Sequence, residues 1–289
     1  MNQTKSMITL SNGADRQRRW MSDMLLVLIC LLGAAAFLYP FLLSGPTLAT
    51  ADGSRAGDAP IIFAVLGPAL LALLLAELGS GQLNAKTIAV LGVLVAINAA
   101  LRIPVGPGDA PTFFFLVILA GYVYGGRFGF LIGALSLFTS AMLLGYVGPW
   151  MPFQMFAMGW MGMCAAVLRP CGRRLKPGGW GEQALLCGYG YVWGLLFGAL
   201  MNLWSWPFAG AGALFWQPGL GLGETLRRYW AFYVATSLAW DSVRAISNVA
   251  LIATLGGPVL KELRRFQARF HFVELGVRSQ KPEYDTTIH

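Results

Sequence analysis

The chain has 289 residues, of which 56% are hydrophobic and only 12% are charged, and its mean hydropathy is +0.61. Soluble domains carry about a quarter charged residues, so this composition excludes a water-soluble domain of any size and makes lipid part of the solvent. The net charge of +8 does not indicate nucleic-acid binding, because the basic residues lie in the tails and between apolar segments, as in a membrane topology.

Eight apolar segments predict an all-α integral membrane protein, a polytopic bundle of about eight transmembrane helices. A spanning helix needs about 20 residues, so the shorter segments must tilt, extend into their flanks or thin the bilayer. In chain order the segments are Leu25–Leu43, Ile61–Ala76, Thr87–Leu101, Thr112–Tyr124, Phe128–Leu144, Pro152–Leu168, Ala184–Leu203 and Tyr229 to about Leu255.

The basic residues form three clusters that eight spans would place on one side of the membrane. Loops rich in Lys and Arg stay in the cytoplasm, so the pattern predicts a multi-pass protein of the cell membrane with both termini cytoplasmic. The clusters are Lys5, Arg16, Arg18 and Arg19; Arg169, Arg173, Arg174 and Lys176; and Lys261, Arg264, Arg265, Arg269, Arg278 and Lys281.

Sequence motifs for catalysis and for cofactor or metal binding are missing. There is no GxxxxGK[ST] loop for ATP, no HExxH and no GxSxG, and the two histidines, His271 and His289, both lie in the C-terminal tail. The sequence therefore predicts no catalytic residue, no metal site and no cofactor, and it argues against an enzyme.

Small residues recur at intervals of four in the predicted helices. Gly92, Ala96 and Ala100 fall on one helix face, and such spacing lets two helix backbones approach closely in lipid. Two interpretations stay open, which are packing inside the bundle and docking of another membrane subunit. The same spacing occurs at Gly121, Gly125, Gly129 and Gly133, across a predicted turn, and at Gly194 and Gly198.

Polar residues inside the spans concentrate in the last helix. Asp241, Arg244 and Asn248 stand at i, i+3 and i+7 and so share one helix face. Charges at membrane depth usually face a bundle interior or a water-filled cavity. The three residues fit a substrate site in the outer half of the bundle, or else a structural ion pair that anchors the last helix.

A second group of candidates lies near the predicted external surface. Trp150 and Gln154 share a face at the start of the sixth span, where a ring and an amide suit a flat polar heterocycle, although an interfacial tryptophan belt also explains Trp150. Asn98 either caps the same cavity or bonds a neighbouring helix. The loop Arg102–Pro111 is a ligand lid or a stiff linker, and the loop Trp204–Glu224 is a second lid or rests on the headgroups.

Several stretches in the last two-thirds of the chain form a recognisable series. They are Ala96–Pro104, Phe115–Phe130, Gly133–Ser136 and Gly148–Met155, with Asp241, Arg244, Ala245 and Asn248 in the last helix. In their order and spacing, since no single motif is diagnostic, they resemble the substrate-binding S component of energy-coupling factor (ECF) vitamin transporters.

The resemblance implies a six-helix core with an external small-molecule site closed by the loop after the first core helix. It also implies docking on a transmembrane coupling subunit through an AxxxA pattern, matched here by Ala96 and Ala100, and two cytoplasmic ATPases that drive transport. The Gly-Pro-Trp-x-Pro-x-Gln string looks most like members assigned to cobalamin. The division expected is 1–84 for a tail and two additional helices, 85–260 for the core and 261–289 for a basic tail.

The leading hypothesis is a vitamin-binding subunit of an ATP-driven importer, and the alternative is a structural or assembly membrane protein without a ligand. The partners expected are a vitamin, the coupling subunit, the ATPases and the lipid bilayer, with no nucleic acid. The predicted substrate-binding residues are Asn98, Trp150, Gln154, Asp241, Arg244 and Asn248, and the predicted docking residues are Gly92, Ala96 and Ala100.

Overall fold

The structure is a computed structural model that describes residues 2–42, 59–80, 85–104, 112–210 and 212–279, and within these ranges it contains helices and turns but no strand. The predicted all-α polytopic bundle is confirmed. The helices are α1 (Asn2–Leu42), α2 (Ala59–Ser80), α3 (Ala85–Ala100), α4 (Phe114–Tyr124), α5 (Gly126–Leu144), α6 (Met151–Ala165), α7 (Arg169–Gly172), α8 (Trp180–Ser205), α9 (Leu222–Thr236) and α10 (Leu238–Ser279).

Five of the described helical segments are long and apolar enough to cross a membrane. α3 and α4 are also apolar but shorter, with 16 and 11 residues. The count of eight spans therefore stays a prediction. The five segments are Trp20–Leu42, Gly126–Leu144, Met151–Gly172, Trp180–Phe208 and Leu238–Arg269.

The short helix α4 lies at the centre of the bundle. Every residue from Phe114 to Val123 is buried, and α4 packs against α5, α6, α8 and α10. At 1.5 Å per residue it is about 17 Å long, against about 30 Å for the hydrocarbon core. A sheath of protein rather than lipid surrounds α4, which explains why a segment this short is stable there.

Glycines bring α4, α5 and α6 into backbone contact. A Cβ added to Gly121 or Gly129 would collide with the Gly162 carbonyl, and one added to Gly133 would collide with the backbone at Met158. Gly125, with φ of 108°, separates α4 from α5, so the glycine run is divided between two helices. The described members of this run serve packing inside the bundle.

The two N-terminal helices pack on the core. Phe37 of α1 is buried against Phe153 and Trp160 of α6, with ring centroids 5.0 and 5.7 Å apart, and Gly33 lies under the Phe156 ring. α2 packs on both α1 and α6. The basic tails expected beside the spans continue as helix, since α1 begins at Asn2 and α10 runs to Ser279.

The predicted eighth segment, Tyr229 to about Leu255, is wrong as a single helix. α9 ends at Thr236 and α10 begins at Leu238, with a break at Ser237. The Ser237 hydroxyl exchanges hydrogen bonds with the Asn202 side chain at 2.8 and 3.0 Å, and the Thr236 hydroxyl donates to the Phe232 carbonyl. Hydroxyl side chains that bond locally or across helices compete with a continuous helix here.

The predicted loop Trp204–Glu224 is shorter in the structure. Trp204 belongs to α8, which ends at Ser205, and α9 already begins at Leu222. Trp206 starts a short 3-10 turn, is buried, and donates from Nε1 to the Leu214 carbonyl at 2.9 Å. Of the other predicted lid, residues 105–111 lie outside the described part of the chain.

Candidate functional site

A ladder of glycines on α8 receives the polar face of α10. Gly190, Gly194 and Gly198 stand four residues apart, and a Cβ at Gly194 would collide with the Ala245 backbone while one at Gly198 would collide with the Asp241 carboxylate. Only glycine permits so close an approach. The facing pairs are Gly190 with Asn248, Gly194 with Ala245, and Gly198 with Asp241.

Asp241 and Arg244 form a buried ion pair on this ladder. The Asp241 side chain is 3% exposed and accepts from Arg244 Nη1, which also approaches the Gly194 carbonyl at 3.5 Å. Asp241 Oδ2 and Arg244 Nε have no hydrogen-bond partner among the described residues. The Tyr233 hydroxyl lies beside the carboxylate, but it donates to the Leu195 carbonyl at 3.4 Å. The pair therefore keeps unused hydrogen-bonding capacity.

Asn248 lies about two turns along α10 from Asp241 and is fully buried. Its Nδ2 donates to the Gly190 carbonyl at 3.0 Å, whereas Oδ1 has no hydrogen-bond partner in the described structure. Burying an amide oxygen without a hydrogen-bond partner costs about 1–3 kcal/mol of desolvation free energy. Asn248 both fixes α10 to α8 and leaves an acceptor available.

Aromatic rings connect Arg244 with the loop after α3. The Arg244 guanidinium lies over Phe197 and Phe114, 5.3 and 5.9 Å from the ring centroids. Phe114 contacts Phe113 edge to face at 4.8 Å, and Arg102 lies over Phe113 at 5.6 Å. Two arginines distant in sequence thus bracket the Phe113–Phe114 pair, with cation–π attraction on both sides.

Arg102 holds this arrangement from the end of α3. Its Nη1 donates to the Ser140 hydroxyl at 2.9 Å, and its guanidinium also lies over the Tyr146 ring. Burial lowers the pKa of the Arg102 guanidinium below its ordinary value. The Thr112 hydroxyl donates to the Leu101 carbonyl and lies 3.1 Å from the Pro104 carbonyl, so Thr112, which precedes Phe113, is held against the end of α3.

Asn98 is fully buried between α3 and α5, and neither its Oδ1 nor its Nδ2 has a hydrogen-bond partner in the described chain. The buried Ser136 hydroxyl on α5 is also unpartnered there. Asn98 and Ser136 each precede the bonded pair Arg102 and Ser140 by four residues, so they lie at one level. Both roles of Asn98, a ligand contact and a bond to a neighbouring helix, therefore stay predictions.

Trp150 lies at the start of α6 and is 38% exposed. Its ring meets that of Trp204 edge to face at 6.4 Å, and the buried Trp204 Nε1 has no partner in the described structure. Gln154 is half-buried one turn into α6, where its backbone N–H donates to the Trp150 carbonyl at 3.0 Å. We call the end of the bundle that carries Phe113, Trp150 and Trp204 the aromatic end.

The predicted site residues fall into two groups rather than one. Asp241, Arg244 and Asn248 contact α4 and α8, whereas Trp150 contacts Trp204, which lies six residues, or about 9 Å, beyond Gly198 along α8. Sequence reasoning did not single out Phe113, Phe114 or Gly190, and it named Arg102 only as part of the loop Arg102–Pro111. An arginine on the side otherwise poor in basic residues and the run Phe113-Phe114-Phe115 were the available signals.

The small residues of α3 have no partner helix among the described residues. Gly92, Ala96 and Ala100 are exposed, and a Cβ at Gly92 would meet nothing within 4 Å. The neighbouring Val93 and Ile97 are exposed as well. This face therefore differs from the glycine faces of α5 and α8, which are filled from within the chain.

The family model for the substrate-specific component of the ECF transporter matches residues 86–256, which is more than half of the chain. The chain belongs to this family. Comparisons with curated proteins and with solved structures gave no match. Membership makes this chain the substrate-binding component of a membrane transporter and not an enzyme, and it implies a small-molecule substrate and partner subunits. The matched residues start in α3, after both N-terminal helices, and end in α10.

Proposed function

We propose that this S component captures a vitamin or related micronutrient at the external face of the cell membrane for an ATP-driven importer. Cobalamin is the favoured vitamin, from the Gly148–Gln154 string. Residues 85–260 form the substrate-binding core, and both termini lie in the cytoplasm. Two separate ATPases hydrolyse ATP, and a transmembrane coupling subunit connects them with this chain.

One observation carries the proposal, namely buried polar atoms without partners on helices that enclose the aromatic end. They are contributed by Asn98, Trp204, Asp241, Arg244 and Asn248. Buried polar groups normally find a partner, and a bound polar ligand supplies one. In this proposal Asp241, Arg244, Asn248 and Asn98 orient the ligand, while Trp150 and Gln154 contact it nearer the surface, under the lid of residues 103–111.

The exposed face of α3 is the proposed docking surface for the coupling subunit. α1 and α2 pack on α6, so the two additional helices leave Gly92, Ala96 and Ala100 uncovered. Replacing Ala96 by Leu should abolish co-purification of the coupling subunit without lowering stability, because the new side chain blocks close helix approach only at this surface. Ile97→Leu on the same helix is the matched control. Equal loss in both variants would contradict the assignment.

The direct test is native mass spectrometry of the purified chain, before and after incubation with cobalamin, riboflavin, biotin and thiamine. A retained vitamin mass would support the proposal and identify the ligand. A chain that retains none of these would favour an assembly protein, in which the α8–α10 ladder and its ion pair serve packing alone. A retained vitamin other than cobalamin would overturn only the cobalamin assignment.

A further inference from the structure

A basic cavity of about 380 Å³ lies at the end of the bundle opposite the aromatic end. We call this the basic end. The volume falls within the range of about 300–1,000 Å³ typical of small-molecule sites. The cavity is lined by Tyr122 and Val123 of α4, Arg169 and Arg173 of the α7 region, and Arg264 and Gln267 of α10.

Glu182 neutralises one of the three arginines. This carboxylate is buried and accepts from the Tyr122 hydroxyl at 2.6 Å, from the Gly178 amide at 2.8 Å, and from Arg264 through both terminal nitrogens. Its oxygens are fully engaged. Arg264 therefore lines the cavity, and its charge is compensated by the buried Glu182 carboxylate.

The other two arginines of the cavity, Arg169 and Arg173, have no compensating carboxylate in the described structure. Arg169 donates to the Val123 carbonyl at 2.6 Å, a carbonyl that also accepts from Gln267 at 3.0 Å. Among the described residues no carboxylate lies within 4 Å of Arg169 or Arg173, and Arg173 is exposed at the surface. Three guanidinium groups and one carboxylate leave a formal charge of +2 at the cavity.

We infer that this cavity binds an anionic phosphate group, one whose charge is not neutralised by a cation in the same molecule. Guanidinium groups present paired donors that match phosphate oxygens, and basic pockets between transmembrane helices bind anionic headgroups. The apolar side chains of Val167, 73% exposed, and Phe266 flank the lining residues in sequence and offer a surface for acyl chains. The phosphate belongs to an anionic lipid headgroup or to a soluble phosphate ester.

The experiment titrates the delipidated full chain in detergent, followed by native mass spectrometry. One arm uses phosphatidylglycerol against phosphatidylcholine of the same acyl composition, and the other uses glycerol 3-phosphate. Arg173→Gln removes one charge of the cavity without removing any described contact. A second variant, Arg169→Gln, removes the other charge that has no carboxylate partner. Arg174→Gln is the matched control, because Arg174 is exposed one residue away and does not line the cavity.

We expect the wild-type chain to bind phosphatidylglycerol in preference to phosphatidylcholine, Arg173→Gln to weaken that binding about tenfold, and Arg174→Gln to leave it unchanged. The same pattern with glycerol 3-phosphate alone would identify a soluble ester as the source. Equal binding of both lipids with no binding of glycerol 3-phosphate, or equal loss in the control, would overturn the inference. So would an Arg173→Gln variant that binds phosphatidylglycerol and glycerol 3-phosphate as tightly as the wild type.

Discussion

Two buried ion pairs in the described part of the chain differ in how completely they are hydrogen-bonded. At the basic end, Glu182 accepts from Arg264, Tyr122 and a backbone amide, and both of its oxygens are engaged. Towards the aromatic end, Asp241 has Arg244 as its ion-pair partner, and both residues retain a polar atom without a partner in the described chain. A saturated pair fixes helices together, whereas an unsaturated pair at membrane depth is suited to bind something else.

The two ion pairs also differ in how they contribute to the contacts between helices. Glu182 joins α4, α8 and α10 through side chains from each of them. Asp241 and Asn248 instead rest on glycines, so the α8–α10 contact does not depend on their remaining hydrogen bonds. α10 is therefore held at the basic end by a hydrogen-bonded ion pair and near the aromatic end by close backbone packing.

The largest expected effect comes from breaking the saturated pair. Glu182→Gln leaves Arg264 uncompensated and weakens the bond from Tyr122, so the free energy of unfolding should fall by about 3 kcal/mol. The measurement is thermal unfolding of the purified chain in detergent. Glu262→Gln removes an exposed pair with Arg265 on the same helix and should change stability little. Similar losses of stability in both variants would show that the buried pair stabilises the chain no more than the exposed pair does.

A smaller loss is expected from filling the glycine ladder. Gly194→Ala forces its Cβ against the Ala245 backbone, and overpacking of this kind costs about 1–3 kcal/mol. Gly188→Ala on the same helix is the control, because open space surrounds Gly188, and helix propensity should make it neutral or slightly stabilising. Thermal unfolding of the two variants decides whether close packing or the ion pair holds α10 near the aromatic end.

Breaking the unsaturated pair should affect ligand retention more than stability. The double variant Asp241→Asn, Arg244→Gln should cost about 1 kcal/mol of stability, because it leaves no uncompensated charge buried and the glycine packing remains. Retention of the vitamin in native mass spectrometry should fall about tenfold or more. A variant that unfolds while retaining ligand normally would show that the pair is structural, as in the alternative hypothesis.

The smallest effect on stability is expected at the Glu224 carboxylate, which forms surface ion pairs on α9. Hydrogen bonds from Arg227 and Arg228 lower the pKa of Glu224 to about 2. Because the pKa is lowered on folding, the contribution of Glu224 is present above its unfolded pKa of about 4.3 and is lost as the pH falls towards 2. Thermal unfolding between pH 5 and pH 3 should show a slightly flatter pH dependence for Glu224→Gln than for the wild type. A large difference would mean that α9 contributes more than surface pairing suggests.

Hydrophobic runs sufficed to predict the helical bundle, and the order and spacing of the stretches from Ala96 to Met155 predicted the family. For Gly194 and Gly198 the spacing indicated close helix approach but left open whether the partner helix lies inside the chain or in another subunit. The positions of Asp241, Arg244 and Asn248 on one face also followed from helical spacing. The break at Ser237 did not, because it depends on Asn202, 35 residues away in sequence. The Arg102–Phe113–Phe114–Arg244 chain was missed for the same reason, since cation–π contacts arise from tertiary placement and have no periodic signature.

The short central helix α4 has a consequence for the membrane potential. Phe113 at one end of α4 belongs to the aromatic end, and Tyr122 and Val123 at the other end line the basic cavity. Dry, low-dielectric protein thus separates the two polar regions by only the length of α4, about 17 Å, rather than by a full bilayer. We expect the electric field to be concentrated along α4, so that the voltage drop falls over roughly half the usual distance.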